Sequence, residues 1–324
     1  MCTAINDNGR YHLFGRTLDL EVSYGETTVI LPRAASIDFS KEWASVYHFA
    51  IIGTATVVRG VPLFFDAMNE KGLAAAALNF PKIAVYSSIR SNAHNVASFE
   101  LIPWVLGRCD SVSAAVRLLK DTNVTSECFS ESLPTTPLHW IISDSQESIT
   151  VEPTENGLEI HKNPFGVLTN APEFRFHSMN VSNYMKVSSS DPENLLCPSV
   201  ELENYSRGMG GIGLPGDMSS ASRFIRAVFA KNHTVHAQCE IDAVSRFFHI
   251  METVSQPLGL AKSPSGKPIS TLYTSCACTQ SKTYYYTTYA NRRIRAVRLD
   301  EHIAGTSQLH VFPREEKEDI SYLN

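Results

Sequence analysis

Strand-forming segments stand at both ends of this chain, and two pairs of helix-forming segments interrupt them. The strand segments are short apolar or alternating runs bounded by turn residues, and the helical segments repeat apolar residues at intervals of three and four. Strands are predicted at 2–6, 11–17, 29–32, 62–68, 73–80, 139–144, 148–153, 158–163, 165–170, 271–279, 283–289 and 294–300. Helices are predicted at 97–107, 111–120, 219–231 and 239–254, with Asp110 or Ser111 and Ser219 or Ser220 as candidate N-caps.

The order of these segments predicts an α+β fold. No strand-helix-strand rhythm repeats along the chain, which argues against a doubly wound parallel sheet and favours antiparallel sheets. At 324 residues the chain is longer than a single hydrophobic core usually grows. Two stacked sheets covered by helices would bury that length in one unit. Because no repeat, low-complexity tract or linker is visible, a single domain over residues 1–324 is predicted.

Charge and hydropathy exclude two kinds of partner. The net charge is -5, and the short cluster Arg292, Arg293, Arg295 and Arg298 fits a solvated strand face better than a nucleic-acid site. The longest apolar stretch, 49–58, is much shorter than the roughly 18 residues of a membrane span. Since no basic segment followed by an apolar region begins the chain, a cytoplasmic location is predicted.

Seven cysteines are scattered along the chain without a disulfide framework. In a chain without an export signal this favours reduced thiols. Cys276 and Cys278 alternate within a predicted strand, so both sulfurs would lie on one sheet face. No second Cys or His pair stands near them at zinc-ligand spacing, and no HExxH motif occurs. Neither a metal nor another cofactor is therefore expected.

An Asn-Gly dipeptide near the start predicts a β-hairpin with its turn at 7–10. A two-residue loop would place Cys2 opposite Gly15, and a three-residue loop would place it opposite Arg16. Either register brings Arg16 to within a residue of the start of the chain. The hairpin therefore predicts a cationic side chain beside Cys2.

Cys2 follows Met1 directly, and a residue as small as cysteine permits removal of the initiator methionine. The thiol and the free α-amine would then lie on one residue, where the partly neutral amine can accept the thiol proton. Such a nucleophile also needs a cation near the sulfur, a carboxylate for the ammonium and donors for the oxyanion. By position, Arg16 and Asp19 fit the first two needs. The alternative is that Cys2 is a small buried hydrophobe in a first strand.

The chain resembles the choloylglycine hydrolases, which are N-terminal-nucleophile (Ntn) amidases that include bile salt hydrolases and penicillin V acylases. The resemblance covers essentially the whole chain and implies an Ntn-hydrolase fold, an αββα sandwich of two stacked antiparallel sheets between helical layers. It rests on MCTA (1–4), FGRTLDLE (14–21), GLAAAALNFP (72–81), GVLTNAPEF (166–174), NYSRGMGGIGLPGDMSSASRFIR (204–226) and SCACTQSKTYYYTTY (275–289).

The resemblance implies three catalytic roles at the start of the chain. Cys2 matches the nucleophile of the family. Arg16 matches the cation near the sulfur and the bound acyl group, and Asp19 matches the residue that holds the α-amine.

Three further catalytic roles are implied later in the chain. Asn79 and Asn170 match the pair that serves the oxyanion and the leaving amide, and Arg223 matches the charged residue that keeps the site oriented. Taken alone, Asn170 at a strand end would be a turn residue, and Arg223 in the first turn of a helix would be a surface residue. The ordered match of all six positions favours the catalytic interpretation.

Substrate choice is implied by the branch of the family that the sequence resembles. Asn79 within LNFP fits the bile salt hydrolases, whereas a Tyr tends to occupy this position in penicillin V acylases. Conjugated bile salts are thus the expected substrate, and the steroid would need an apolar pocket with candidate residues Leu18, Leu20, Tyr24 and Phe129. The resemblance also implies a bacterial homotetramer without a cofactor. The alternatives are a penicillin V or N-acyl-homoserine-lactone acylase, or a non-catalytic bile-acid-binding protein.

Overall fold

The structure, a computed structural model, describes residues 1–42, 47–315 and 317–324. Its strands are β1 (Cys2–Asn8), β2 (His12–Leu20), β3 (Thr27–Leu31), β4 (Ile51–Val58), β5 (Val61–Asn69), β6 (Ala74–Asn79), β7 (His94–Ala97), β8 (Thr122–Thr125), β9 (Leu138–Ser143), β10 (Ser148–Thr154), β11 (Gly157–Lys162), β12 (Val167–Leu168), β13 (Ala261–Lys262), β14 (Pro268–Cys278), β15 (Thr283–Thr288), β16 (Arg295–Arg298) and β17 (His310–Phe312). Its α-helices are α1 (Leu101–Arg108), α2 (Val112–Lys120), α3 (Phe174–Asn180), α4 (Ser220–His233), α5 (Glu240–Glu252) and α6 (Glu301–Ala304).

Two large antiparallel sheets form the centre of the molecule. The first has the strand order β12-β1-β2-β14-β15-β16, with β13 beside β14, and the second has the order β11-β10-β9-β6-β5-β4-β3-β17. The short strands β7 and β8 pair separately and in parallel. Because β1 lies between β12 and β2, the start of the chain is held on both sides.

Helices cover the outer face of each sheet. One buried cluster joins α4 and α5 to the first sheet and continues to side chains of the second sheet, such as Ile52 and Ile141. The other cluster packs the opposite face of the second sheet against α1 and α2, through side chains such as Trp104 of α1 and Leu119 of α2. The α+β class and the αββα layers expected from the resemblance are therefore confirmed.

Serine caps fix the starts of two helices. The Ser111 hydroxyl accepts a hydrogen bond from the Ala114 N–H at the start of α2. The Ser219 hydroxyl accepts one from the Ser222 N–H at the start of α4. Of the two candidates at each start, these serines are the caps. The start of α4 matters for the site because it places Arg223 in the first turn, against β1.

Strand β4 has no counterpart among the predicted strands. It contains most of the apolar stretch at 49–58, and it pairs with β3 on one side and β5 on the other. Its first five residues are all buried, so buried and exposed positions do not alternate there. The short helices α3 and α6 were not predicted either, and α1 begins at Leu101 because 94–97 form β7.

The predicted N-terminal hairpin forms, but its register differs from both predicted registers. The loop comprises residues 9–11, and Cys2 lies opposite Leu18, not opposite Gly15 or Arg16. The Asn-Gly dipeptide therefore located the turn but not the strand pairing.

Contacts with β14 fix the position of β2 in the first sheet. Gly15 lies so close to the neighbouring strand that a Cβ on it would be 1.9 Å from the main-chain oxygen of Ser275. This contact fixes β2 against β14, and a shift of β2 by one residue would also move each of its side chains to the other face of the sheet. Arg16 pairs two positions away from Cys2, on the same face of the sheet, so the two side chains still lie together.

The buried His12 should make stability depend on pH. Burial lowers the pKa of His12 from 6.5 to about 4, and its ring contacts Asn6 Oδ1 and Thr279 Oγ1 at 2.8 and 2.9 Å. As the pH falls below 6.5, His12 of the unfolded chain binds a proton, whereas His12 of the folded chain stays neutral until the pH reaches about 4. The free energy of unfolding therefore falls between these two pH values. Between pH 7 and 4.5 the wild-type free energy of unfolding should fall about 2 kcal/mol more than that of His12→Gln in urea titrations. Equal pH dependences would contradict this.

Candidate active site

The main chain of Cys2 is fixed by two distant parts of the sequence. Cys2 is the first residue of β1, and it is 2% exposed. Its N–H donates to Asn170 Oδ1 at 2.9 Å, and its carbonyl oxygen accepts a hydrogen bond from Arg223. Both contacts position Cys2 through its main-chain atoms, and neither of them involves the sulfur.

Met1 extends the β1-β2 ladder by one residue. Its ammonium donates to the main-chain oxygen of Asp19 at 2.5 Å, and its carbonyl accepts from the Asp19 N–H at 2.9 Å. The Cys2 nitrogen is consequently an amide in this chain, and the α-amine lies on Met1. Removal of Met1 would convert the Cys2 nitrogen into an amine that already lies beside Asn170.

Arg16 is a fully buried cation next to Cys2. Its Nε donates to the Thr17 carbonyl at 3.1 Å, and its Nη1 donates to the carbonyls of Phe65 and Ala77. Its Nη2 is buried without a partner among the described residues. Burial alone would lower the pKa of this guanidinium, but nearby groups that can carry negative charge, Cys2 first among them, raise it above its ordinary value. Arg16 is thus a permanent positive charge with one free donor.

The carboxylate of Asp19 lies on the helix side of the first sheet, within a set of polar side chains. Thr271 donates to it at 2.6 Å, Thr17 at 3.2 Å and Gln256 at 3.4 Å. Burial raises the pKa of Asp19, and the nearby Arg223 opposes this only in part. Its position one residue beyond the partner of Cys2 places it near the nitrogen that Met1 removal would free.

Asn170 connects the later members of the site. Its Oδ1 accepts from Arg223 Nη2 at 2.7 Å, and its Nδ2 donates to the main-chain oxygen of Asn79 at 2.7 Å. Its own main-chain atoms are held by Ser220 and by the His177 ring at 2.8 and 2.9 Å. The Asn79 side-chain oxygen is buried with no partner among the described residues. The Asn79 side-chain oxygen is therefore available to accept a hydrogen bond from a bound substrate.

The structure brings the six predicted catalytic residues together, but it separates the predicted steroid contacts. Leu18 is buried directly opposite Cys2, and Leu20 is half-buried at the end of β2. Tyr24 is 48% exposed in the following loop. Phe129 packs edge-on against Phe99 at 5.5 Å and lines a cavity of about 510 Å³ whose described lining includes none of the six.

Sequence reasoning did not identify three buried polar residues around this site. Thr271 and Gln256 hold the Asp19 carboxylate, and Asp66 accepts hydrogen bonds from hydroxyls of the neighbouring sheet. Of the three, only Asp66 could have been identified from the sequence, because a buried carboxylate within the apolar segment PLFFDAM needs a hydrogen-bond donor. A β-bulge at Leu272, between Thr271 and Tyr273, aims the β14 side chains at the site.

The residues that the structure describes contain no candidate metal site and no candidate membrane-spanning helix. In 1–42, 47–315 and 317–324, no three His, Cys, Asp or Glu side chains converge in a way that could hold a metal ion. Over the same ranges, no helix has the length and apolar composition needed to cross a bilayer.

A family model and a curated relative match nearly all of the chain. Residues 2–312 match the model of the linear amide C–N hydrolases, choloylglycine hydrolase family. The bile salt hydrolase/transferase of Lactiplantibacillus plantarum is 44% identical over 313 residues, which cover 97% of both chains.

Two solved structures have the same fold as this chain. A mutant conjugated bile acid hydrolase from Clostridium perfringens superposes with a TM-score of 0.91 at 32% identity, with 100% of both chains covered. Penicillin V acylase from Agrobacterium tumefaciens has a TM-score of 0.77 at 18% identity, over 97% of this chain and 91% of the other, and shares the fold. The chain therefore belongs to the choloylglycine hydrolase family of linear amide C–N hydrolases.

Proposed function

We propose that this enzyme hydrolyses the amide bond of glycine- and taurine-conjugated bile salts, with Cys2 as the nucleophile. The observation that carries the proposal is the placement of Cys2 at the first position of β1, between Arg16, Asn170 and Arg223. The names of the similar proteins, bile salt hydrolase/transferase and conjugated bile acid hydrolase, support conjugated bile salts as the substrate class.

The proposed reaction begins with removal of Met1. The α-amine of Cys2 then takes the thiol proton, and the sulfur attacks the amide carbon to form a tetrahedral oxyanion. Collapse breaks the C–N bond, and the ammonium returns its proton to the departing glycine or taurine nitrogen. The resulting thioester is attacked by water, whose proton passes to the amine, and the C–S bond breaks to release free bile acid and the thiol.

In this reaction the surrounding residues stabilise the charged groups and hold Cys2 in position. Arg16 favours the thiolate and offers its free Nη2 to the anionic intermediate. Asn79 and Asn170 donate to the oxyanion or contact the leaving amide. Asp19 accepts from the ammonium, and Arg223 holds the Cys2 carbonyl.

Amine release separates this proposal from its alternatives. Met-trimmed protein is incubated with glycocholate, taurocholate and penicillin V, and the free amines are quantified. We expect release of glycine and taurine. Preferential cleavage of penicillin V would favour a penicillin V acylase, and binding of glycocholate without any release would favour a bile-acid-binding protein.

A homotetramer in the bacterial cytoplasm is a further part of the proposal. The segment between α3 and α4 exposes large apolar side chains, among them Met185, Leu196 and Tyr205, which are 82%, 94% and 83% exposed. A surface of this kind supports burial against another copy of the chain. Sedimentation equilibrium should give four times the chain mass, and a purely monomeric species would contradict the tetramer.

A further inference from the structure

Asp66 is a buried carboxylate between the two sheets. It lies on β5 of the second sheet and is 1% exposed. Its Oδ1 accepts from the Tyr273 hydroxyl at 2.5 Å, and its Oδ2 accepts from Ser275 at 2.8 Å and Tyr284 at 2.6 Å. All three hydroxyls belong to the first sheet, so Asp66 ties the two sheets together beside the candidate active site.

The hydroxyls around Asp66 are arranged as donors. Burial raises the pKa of Tyr273 and of Tyr284 well above the ordinary value, and the charge of Asp66 adds to this. Thr54 contacts the Tyr284 oxygen at 2.6 Å, and Arg314 donates to Thr54 at 2.7 Å. The phenols therefore stay protonated, and the chain of donors runs from Arg314 toward Asp66. This is the arrangement that an ionised carboxylate requires when it is removed from water.

Two short connections lead from Asp66 to Arg16. The Arg16 main-chain N–H donates to Ser275 Oγ at 3.1 Å, and the same hydroxyl donates to Asp66. The carbonyl of Phe65, the residue before Asp66, accepts from Arg16 Nη1 at 3.2 Å. Phe65 is the extra residue of a β-bulge between β4 and β5, which turns its carbonyl out of the regular ladder. Anchoring Asp66 therefore fixes two of the contacts that orient Arg16.

We propose that Asp66 is a positioning residue for the amidase reaction, which orients the Arg16 guanidinium and offsets part of its charge at the Cys2 sulfur. The inference rests on the proposed role of Cys2 as nucleophile. Cys2 interacts electrostatically with Arg16 on β2 and Arg223 on α4. Arg16 in turn interacts with Asp19 on β2, Asp66 on β5 and Tyr273 on β14. Asp66 and Tyr273 are the members of this set without a catalytic role, and Tyr273 donates to Asp66.

Asp66→Asn keeps the shape of the side chain and removes its charge. Arg16 should then be held less well, and kcat for glycocholate should fall about 10-fold or more, because two contacts of a buried cation are disturbed. Loss of the negative charge that offsets Arg16 should favour the thiolate. The pH at which iodoacetamide modifies Cys2 at half its maximal rate, followed by mass spectrometry of the N-terminal peptide, should therefore move down by about half a unit or more.

Tyr284→Phe is the matched control, because it removes one hydroxyl from Asp66 and leaves the charge in place. A downward shift in Asp66→Asn but not in Tyr284→Phe would support the proposal. No shift in Asp66→Asn, or the same shift in both variants, would overturn it, since a loosened sheet contact would then explain the effects. Wild-type protein that releases no amine would contradict the proposed function, while the alkylation midpoints would still be measurable.

Ser275→Ala provides a second test that holds even if Asp66→Asn does not fold. It cuts the link from the Arg16 N–H to Asp66 and leaves the Asp66 side chain unchanged. The proposal predicts a kcat lower by about 2- to 10-fold, the effect of one hydrogen bond, with KM nearly unchanged. A Ser275→Ala enzyme with the kcat of the wild type would overturn the proposal.

Discussion

Cys2→Ala is expected to lower kcat for glycocholate by at least about 10⁴-fold while the fold is retained. The substitution removes the atom that forms the thioester. The contacts of Cys2 with Asn170 and Arg223 use main-chain atoms, so they survive the change. The buried side chain loses only its sulfur, which should cost little stability. Amine release and circular dichroism, measured on the same preparation, check both parts of the expectation.

Cys239→Ala is the control for nonspecific effects of removing a thiol. Cys239 is exposed and precedes α5 without a side-chain capping bond, so this variant should keep the wild-type rate. A Cys2→Ala enzyme within tenfold of the wild-type rate would exclude Cys2 as the nucleophile.

Asn170→Ala is expected to lower kcat by about 10²- to 10³-fold, equivalent to roughly 3 kcal/mol of transition-state stabilisation. Asn170 is 7% exposed, and it contacts the Cys2 nitrogen, Arg223 and the Asn79 carbonyl. The loss should appear in kcat more than in KM, because an oxyanion exists only after attack. Steady-state kinetics with glycocholate provide the measurement.

Asn170→Asp distinguishes donation to the oxyanion from positioning of the N-terminus. The aspartate keeps an oxygen for the Cys2 nitrogen and Arg223 but has no amide N–H to donate. If donation dominates, Asn170→Asp should lose as much kcat as Asn170→Ala. A rate near that of the wild type would show that Asn170 acts only through the oxygen.

The sequence predicted the layers of the fold well, because they depend on local patterns that burial preserves. Apolar residues at helical spacing located α2, α4 and α5, and short apolar runs located most strands. β4 was missed because its first five residues are all buried, so it lacks the alternation of a half-buried strand. The predicted register of the first hairpin was wrong, because a turn dipeptide locates the turn but does not record long-range contacts such as that of Gly15 with Ser275, more than 250 residues away.

The six catalytic candidates of the site were predicted because they lie in the ordered sequence motifs of the family. The six catalytic candidates converge, although the register that was expected to bring Arg16 to Cys2 does not occur. Asp66, Thr271 and Gln256 were not predicted, because their partners come from other strands and loops. Phe129 was proposed as a steroid contact and packs against Phe99, away from the six, so its place in a substrate pocket stays a prediction.

The intact mass of the active enzyme tests most directly whether Cys2 acts as an N-terminal nucleophile. The Met1 ammonium occupies the Asp19 carbonyl, and the Cys2 nitrogen is an amide while Met1 remains. The fraction that releases glycine from glycocholate should therefore have the mass of the chain without its first methionine. A fully active fraction that retains Met1 would contradict the mechanism, because no α-amine would then lie on Cys2 to take the thiol proton.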